Sequence, residues 1–253
     1  MHRSLCICGL LPRLETRTRV VLLVHQLEVQ KTTNTGLVAA RCLPNSAVVY
    51  RGRAPEGASG EAPDAGASVA EQVERLAAAI PAGTRSAFLF PHASATPLEE
   101  WSASGAPVTL IVPDGTWSQA ARAFSRVGRA LALPCVSLAE RGGGSGAALG
   151  DVRAGGRLRL PTRPGRLATL EALARALGLL EGPEVEAALM RVFHVMTDRT
   201  LWTNGRLSRE AVTGGVPAGV HSHAPLGADA PRAGGASEPA ETEPRGRRTR
   251  AAP

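Results

Sequence analysis

Residues 108–124 read VTLIVPDGTWSQAARAF, and this stretch decides the class of fold. Its first half is a continuous apolar, β-rich run, which is typical of a strand buried on both faces. Its second half places apolar residues three and four positions apart, as an amphipathic helix does. A strand that passes through a short polar turn into a helix is the repeating unit of α/β proteins.

The same alternation continues along the chain on both sides of this unit. Buried strands are predicted at residues 20–24, 47–50, 87–90, 108–112 and 136–138. Helices are predicted at residues 35–43, 69–80, 117–131, 167–180 and 183–200. Gly- and Pro-rich loops are predicted at residues 53–67 and 141–150. Strands that alternate with helices indicate an α/β fold with a mostly parallel sheet and flanking helices.

The length of the chain fits one domain followed by a tail. For 253 residues the expectation is one large domain or two small ones. Residues 1–213 carry the alternating pattern and are predicted to form a single domain. Residues 214–253 are mostly Gly, Pro, Ala, Ser and charged residues, which predicts a disordered tail. Its basic run RGRRTR, at residues 245–250, can touch RNA, although such a run is more often simply solvated.

Composition and charge narrow the class of protein. Hydrophobic residues make up 43% and charged residues 20%, which excludes a wholly disordered chain, collagen and a coiled coil. No apolar run approaches the roughly 18 residues that cross a bilayer, and the start lacks a signal-peptide pattern, so we expect a cytoplasmic protein without a membrane partner. The net charge is +7 and Lys31 is the only lysine. Arginine therefore carries nearly all the positive charge, which fits a polyanionic partner without identifying one.

Polar residues that follow the strands are the candidates for a site, because open α/β sheets bind ligands beyond the carboxyl ends of their strands. Asp114, Thr116 and Trp117 follow the strand at residues 108–112. In one interpretation, Asp114 or Thr116 caps the next helix. In the other, the carboxylate accepts a proton while the indole stacks on a base or faces a cation. The spacing alone leaves both interpretations open.

A second polar segment, HQLEVQKTTNTG at residues 25–36, follows the strand at residues 20–24. Its end opens a helix, so residues 34–36 can hold a carboxylate or phosphate on free N–H groups. The alternative is an ordinary capped loop, with His25 and Glu28 solvated or bonded to each other. Pro91 and His92 follow the third strand. Neither GxGxxG nor GxxxxGKS/T occurs at a strand-to-helix turn, which argues against a dinucleotide site and a P-loop.

Together these blocks resemble the DTW-domain family of tRNA-uridine aminocarboxypropyltransferases. The family pattern is present as Asp114, Gly115, Thr116 and Trp117. Other blocks agree in order: Cys6-x-Cys8 with Leu11-Pro12, His25-x-x-Glu28, TNTG at residues 33–36, LFP at residues 89–91 and RPGRLATLEAL at residues 163–173. The resemblance covers residues 6–205. The family is similar to the SPOUT class of RNA-modifying enzymes, which implies a trefoil-knotted sheet, a rare topology.

The resemblance implies that residues 1–213 are a catalytic domain that moves the 3-amino-3-carboxypropyl group of S-adenosylmethionine to N3 of a tRNA uridine, releasing methylthioadenosine. It makes Asp114 the candidate general base. Trp117 would stack on uracil or adenine, or face the sulfonium. The residues expected to contact the donor are Thr35, Gly36, Pro91, Asp114, Thr116, Trp117, Thr169 and Glu171. tRNA is the expected partner, and no obligate protein partner is inferred.

The four cysteines, Cys6, Cys8, Cys42 and Cys135, fit reduced thiols rather than a disulfide scaffold. The family pattern often includes a further cysteine pair upstream of Cys6-x-Cys8, which suggests a four-thiolate zinc site. Two thiolates cannot complete a tetrahedral structural site. Either the site is lost, or Cys42 or Cys135 contributes, or the true start lies upstream. We expect no metal, and hence no zinc.

Two other functions fit the same residues. One is an S-adenosylmethionine-dependent RNA methyltransferase of the same fold, which differs in the donor carbon that faces the nucleophile. The other is a non-catalytic RNA-binding protein in which Asp114 is only a helix cap. A hydrolase that uses Asp114 with His25 or His92 is a remote alternative, because the sequence has no nucleophile elbow.

Overall fold

The computed structural model describes residues 5–31, 34–52, 68–102, 106–139 and 167–221, which form six strands and seven α-helices. The strands are β1 Arg19–His25, β2 Ser46–Arg51, β3 Arg85–Leu89, β4 Thr96–Pro97, β5 Val108–Asp114 and β6 Cys135–Ser137. The helices are α1 Gln26–Val29, α2 Thr35–Cys42, α3 Val69–Ala79, α4 Glu99–Ser102, α5 Trp117–Ala123, α6 Thr169–Leu180 and α7 Pro183–Thr203. A 3-10 turn, Cys8–Leu10, precedes β1, and a π-helical turn, Phe124–Gly128, extends α5.

The strands form one sheet in the order β2-β1-β5-β3-β6-β4, and every neighbouring pair is parallel. The α/β fold with a parallel sheet predicted from the sequence is therefore confirmed. Val24 of β1 lies opposite Tyr50 of β2 on one side and Asp114 of β5 on the other. The carboxyl ends of β2, β1 and β5 consequently meet at one edge of the sheet. We call this the carboxyl edge.

Successive side chains of a strand point to opposite faces, so the sheet separates two buried clusters. On one side, which we call the α6 face, even-numbered residues of β1 and β5 pack against α2, α6 and α7; they include Val20, Leu22, Leu110 and Val112. On the other side, the α5 face, odd-numbered residues pack against α3 and α5; they include Val21, Leu23 and Ile111. Asp114 belongs to the α6 face, while His25 and Arg51 belong to the α5 face.

The predicted elements match the observed ones except at some ends. The helix predicted at residues 117–131 is α-helical only to Ala123 and continues as a π turn to Gly128. At Gly128 a Cβ would lie 2.8 Å from a ring carbon of Phe124, so the chain passes very close to that ring. The short elements α1, α4 and β4 were not predicted, because two to four residues are too few to show a periodicity. The loops predicted at residues 53–67 and 141–150 lie outside the described residues.

Residues 204–221 return to the body of the protein after α7. Val216 and Val220 pack against a buried cluster, whose members are Leu5, Trp202 and Val212. The guanidinium of Arg209 donates hydrogen bonds to three carbonyls between residues 216 and 220. Within the segment assigned to the tail, Val216, Pro217 and Val220 thus contact the domain. Residues 222–253, with the RGRRTR run, lie outside the described residues.

Two further expectations concern the trefoil knot and membrane-spanning helices. The connection between β6 and α6, residues 140–166, lies outside the described residues, so the trefoil knot stays a prediction. Among the described helices, none combines the length and hydropathy that a bilayer span requires.

Candidate active site

Asp114 lies at the carboxyl edge, as the last residue of β5, and is only 6% exposed. Both of its carboxylate oxygens accept hydrogen bonds. The side-chain amide of Asn34 donates to Oδ2 at 2.7 Å, and the hydroxyl of Thr169 donates to Oδ1 at 2.6 Å. The fold thereby brings together the starts of α2 and α6 around the end of β5. Two of the predicted site residues, Asp114 and Thr169, are in direct contact.

Asn34 fixes the position of the carboxylate by bonding to three parts of the chain. Its side-chain oxygen accepts from the N–H of Leu37 at 2.7 Å and so caps the N-terminus of α2. Its amide group also donates to the carbonyl of Glu28 at 3.1 Å, besides the bond to Asp114. An Asn at an N-cap satisfies a free helical N–H group. Here the same side chain also orients the buried acid.

Gly36 allows Asp114 to rest on the first turn of α2. A Cβ at this position would lie 2.8 Å from Cγ of Asp114 and 2.9 Å from its Oδ1, closer than real Cβ contacts. The N-terminus of a helix carries a partial positive charge that favours an anion. The anion site predicted at residues 34–36 is thus adjacent to the protein's own carboxylate.

Burial raises the pKa of the Asp114 carboxyl above that of an exposed aspartate. Hydrogen bonds from Thr169 and Asn34 act in the opposite direction, because they stabilise the charged form. The neighbouring charge of Glu28 raises the pKa further, and Lys31, which forms an ion pair with Glu28, lowers it. The net result is a carboxylate that takes up a proton more readily than an exposed aspartate does.

Thr116, rather than Asp114, caps α5. Its hydroxyl accepts from the N–H of Gln119 at 3.4 Å, and the side chain of Gln119 accepts from the N–H of Thr116 at 2.7 Å. This reciprocal pair is a capping box. Of the two residues in the capping interpretation, therefore, Thr116 forms the cap, and Asp114 points to the α6 face instead.

Trp117 lies on the other face of the carboxyl edge from Asp114. Its half-buried side chain packs against the α5-face cluster, with its ring centroid 5.8 Å from that of Phe90. Pro91, the next residue after Phe90, is exposed at the same edge. The structure therefore groups Trp117 with the end of β3, and groups Asp114 with the starts of α2 and α6.

The remaining predicted residues lie at the N-termini of the two helices beside Asp114. Thr35 is the half-buried first residue of α2, directly before Gly36. Glu171 is half-buried in the first turn of α6, where its carboxylate accepts from the N–H of Ala168 at 2.8 Å. Burial raises the pKa of Glu171, while this backbone hydrogen bond lowers it. Glu171 is thus engaged in capping α6.

His25 and Glu28 bond to other groups rather than to each other. The Nδ1 atom of His25 accepts from the N–H of Leu27 at 3.2 Å and caps α1. Burial, followed by the nearby charge of Arg51, lowers the pKa of His25. The imidazole is therefore neutral at pH 7. Glu28 forms an ion pair with Lys31. The segment that begins at His25 is therefore a capped loop, and it contacts the site where Asn34 donates to the carbonyl of Glu28.

The cysteines fall into an exposed pair and two buried thiols. Cys6 and Cys8 are exposed, and the N–H of Cys8 donates to the sulfur of Cys6 at 3.4 Å. Burial raises the pKa of both Cys42 and Cys135 to about 11, so both are protonated thiols at pH 7. Within the described part of the chain, no three His, Cys, Asp or Glu side chains are grouped as a metal site requires.

Comparisons with known proteins give one matching family model and one curated relative. The family model described as the DTW domain matches residues 1–201, which include Asn34, Gly36, Asp114 and Thr169. The tRNA-uridine aminocarboxypropyltransferase 2 of Drosophila melanogaster is 27% identical over 210 residues, which cover 81% of this chain and 74% of that protein. No solved structure matches the chain.

Proposed function

The chain belongs to the DTW domain family, and on that premise we propose that it transfers the 3-amino-3-carboxypropyl group of S-adenosylmethionine to N3 of a uridine in tRNA, in the cytoplasm. The relative in Drosophila melanogaster, named as a tRNA-uridine aminocarboxypropyltransferase, supports the reaction type. One observation carries the proposal for this chain. It is the buried carboxylate of Asp114, held at the carboxyl edge by Asn34 and Thr169.

The reaction requires one bond to form, one to break and one proton to leave. The lone pair of N3 attacks the carbon that joins the aminocarboxypropyl group to the sulfonium. The carbon–sulfur bond breaks, and its electron pair neutralises the sulfur to give methylthioadenosine. The N3 proton passes to Asp114. Because the positive charge on sulfur already makes methylthioadenosine a good leaving group, alignment and proton removal are the contributions left to the protein.

The surroundings of Asp114 suit it to act as this general base. Burial raises its pKa, which increases its proton affinity. The two hydrogen bonds from Asn34 and Thr169 hold its carboxylate in one orientation. A carboxylate offers about four lone-pair positions, so a proton can still be accepted while both bonds persist.

We assign the donor to the carboxyl edge, where parallel sheets bind their ligands. Thr35 and Gly36 at the start of α2, together with Thr169 and Glu171 at the start of α6, would contact its polar groups. On the α5 face, the proposed contacts are Pro91, Thr116 and Trp117. Trp117 would stack on the adenine or the uracil. The proposal includes no metal.

Mass spectrometry of both products tests the proposal. The purified protein is incubated with S-adenosylmethionine and with tRNA from cells that lack the gene, and nucleosides and small molecules are then analysed. We expect one uridine to gain the mass of an aminocarboxypropyl group, together with an equal amount of methylthioadenosine. A methylated nucleoside with S-adenosylhomocysteine would instead identify a methyltransferase. RNA binding without any turnover of the donor would identify a binding protein.

A further inference from the structure

Three arginines lie together on the α5 face, next to the carboxyl edge. Arg51 is the last residue of β2. Arg122 and Arg126 are exposed on the helical segment formed by α5 and its π turn. Four positions on a helix make about one turn, so their side chains leave the segment on the same side. We call Arg51, Arg122 and Arg126 the arginine cluster.

Arg51 is held in the cluster by neutral groups. Its Nε donates to the side-chain oxygen of Gln72 on α3 at 3.2 Å, and its Nη1 donates to the carbonyl of Gln119 on α5 at 2.9 Å. Gln119 precedes Arg122 by one helical turn. These two bonds therefore fix a half-buried guanidinium beside the exposed side of α5.

Within the described residues, no carboxylate forms an ion pair with the cluster; the ion pairs found there, which include Arg13–Glu15, Arg17–Glu181 and Lys31–Glu28, lie elsewhere. The pKa of Arg51 is lowered first by burial and then by the charges of Arg126 and Arg122, so these two cations repel the guanidinium of Arg51. Burial lowers the pKa of His25 most, and the charges of Arg51, Lys31 and Arg122 lower it further. Like charges kept together cost free energy, which a bound anion would recover.

The cluster lies within reach of the proposed reaction site. Tyr50 and Asp114 lie on opposite sides of Val24 in neighbouring strands, and Arg51 follows Tyr50. Strands β2 and β5 are thus two strand spacings apart, so the Cα atoms of Arg51 and Asp114 are on the order of 10 Å apart. Their side chains point to opposite faces of the sheet. A polyanion lying along the α5 face could thus extend a base over the edge toward Asp114.

We propose that the arginine cluster binds backbone phosphates of the RNA strand that carries the target uridine. The planar guanidinium forms paired hydrogen bonds with phosphate, and RNA binding depends largely on such contacts. This inference rests on the proposed function, because it takes tRNA as the substrate. The carboxylate of the donor is another anion of suitable chemistry, and the experiment separates the two.

The test compares two double variants that remove the same charge. Arg122→Gln/Arg126→Gln alters the cluster, whereas Arg191→Gln/Arg206→Gln alters two exposed arginines on and after α7, in the other layer. The affinity for tRNA is measured between about 50 and 200 mM salt. For the cluster variant we expect at least tenfold weaker binding at low salt. Its salt slope should fall by about 0.7–0.9 for each phosphate that the variant no longer neutralises.

The control variant should bind as the unmodified protein does. Arg122→Lys/Arg126→Lys should recover most of the salt slope, because lysine retains the charge, but only part of the affinity, because it lacks the planar fork. Saturating tRNA should restore turnover in the cluster variant, and its KM for S-adenosylmethionine should not change.

Two results would overturn the inference while leaving the proposed function intact. In one, the unmodified protein modifies tRNA and the cluster variant binds tRNA as the control does. In the other, the cluster variant has a raised KM for the donor and normal tRNA binding, which would assign the anion to the donor carboxylate. Failure of the unmodified protein to modify tRNA would instead refute the proposed function.

Discussion

At the scale of single residues, the carboxyl of Asp114 is balanced between two opposing effects. Burial favours its neutral form, while hydrogen bonds from Thr169 and Asn34 favour its charged form. A general base needs both effects, since it must be ionised before the reaction and must then hold a proton. The balance can be tested by removing the charge or by removing one donor.

Replacing Asp114 with Asn removes the charge at nearly constant shape. We expect turnover to fall by about 10²–10⁴-fold, the usual contribution of a general base. The fold should persist, because the hydroxyl of Thr169 can accept a hydrogen bond from the new amide as readily as it donates one. Nucleoside mass spectrometry and a thermal melt measure the two effects. Glu184→Gln, the same change at an exposed residue of α7, is the control. Near-normal turnover in Asp114→Asn would return Asp114 to a structural role.

Replacing Thr169 with Val removes a donor that lowers the pKa of Asp114. That pKa should therefore rise above its value in the unmodified protein. Because the base acts in its ionised form, the acid limb of the kcat/KM profile should move to higher pH. Thr169→Ser keeps the hydroxyl and should retain the original profile. An acid limb that stays in place in Thr169→Val would show that the group titrating in the profile is not Asp114.

At the scale of secondary-structure elements, sequence patterns predicted the principal strands and helices. Each strand predicted by an apolar run overlaps an observed strand, because buried parallel strands must be apolar on both faces. The partner of Asp114 was harder to predict. The sequence indicates a site for a free anion at residues 34–36, whereas the bond between Asn34 and Asp114 depends on β1 and β5 being neighbours. Strand order is not encoded in local periodicity.

The arginine cluster was missed for the same reason. Arg51 and Arg122 are distant in sequence, and they come near each other only because β2 and α5 contribute to the same face of the sheet, where Arg51 bonds to the carbonyl of Gln119. The one signal in the sequence was the dominance of arginine over lysine, which indicates a preference for phosphate without locating a site.

The close approach of α2 to β5 leads to a prediction for Gly36. In Gly36→Ala the new Cβ would meet the carboxylate of Asp114, whose two hydrogen bonds resist displacement. Overpacking costs about 1–3 kcal/mol, and alanine recovers up to about 1 kcal/mol in helix propensity. We therefore expect a small loss of stability and a much larger loss of turnover.

A thermal melt and a turnover assay on the same preparation check this prediction for Gly36→Ala. Gly9→Ala is the control, because among the described residues no atom beyond its chain neighbours lies within 4 Å of the position that its Cβ would take. If Gly36→Ala lost stability and activity in proportion, the approach of α2 would matter for packing alone.

At the scale of the whole molecule, the buried acid and the cationic side chains lie on opposite faces of the sheet at the carboxyl edge. The buried acid and its neutral donors lie on the α6 face, and the arginine cluster and Trp117 lie on the α5 face. An RNA strand held on one face can present a base to the other without placing its phosphates beside the carboxylate. For the proposed substrate, such a separation would avoid repulsion between the RNA backbone and Asp114.

The segment at residues 214–221 is a second feature of the whole molecule, because it packs together with residues near the start of the chain. The side chain of Arg199, which is 4% exposed, donates to carbonyls of Leu5 and Cys6 near the start of the chain and to the carbonyl of Gly215. Val216 and Val220 cover the cluster around Trp202. This segment should therefore contribute to stability even though its composition resembles that of a tail.

Two truncations test this contribution. A chain ending at residue 213 lacks the packing of Val216 and Val220, and it leaves Arg199 without one acceptor. An unsatisfied buried donor alone costs about 1–3 kcal/mol. For a domain of this size, each kcal/mol lowers the Tm by about 2–4 °C. A chain ending at residue 221 keeps all the described residues and their packing, so it should melt with the full-length protein, while the shorter chain melts several degrees lower. If both truncated chains melted with the full-length protein, residues 214–221 would add nothing to the fold, and the domain would end at residue 213 as composition alone predicts.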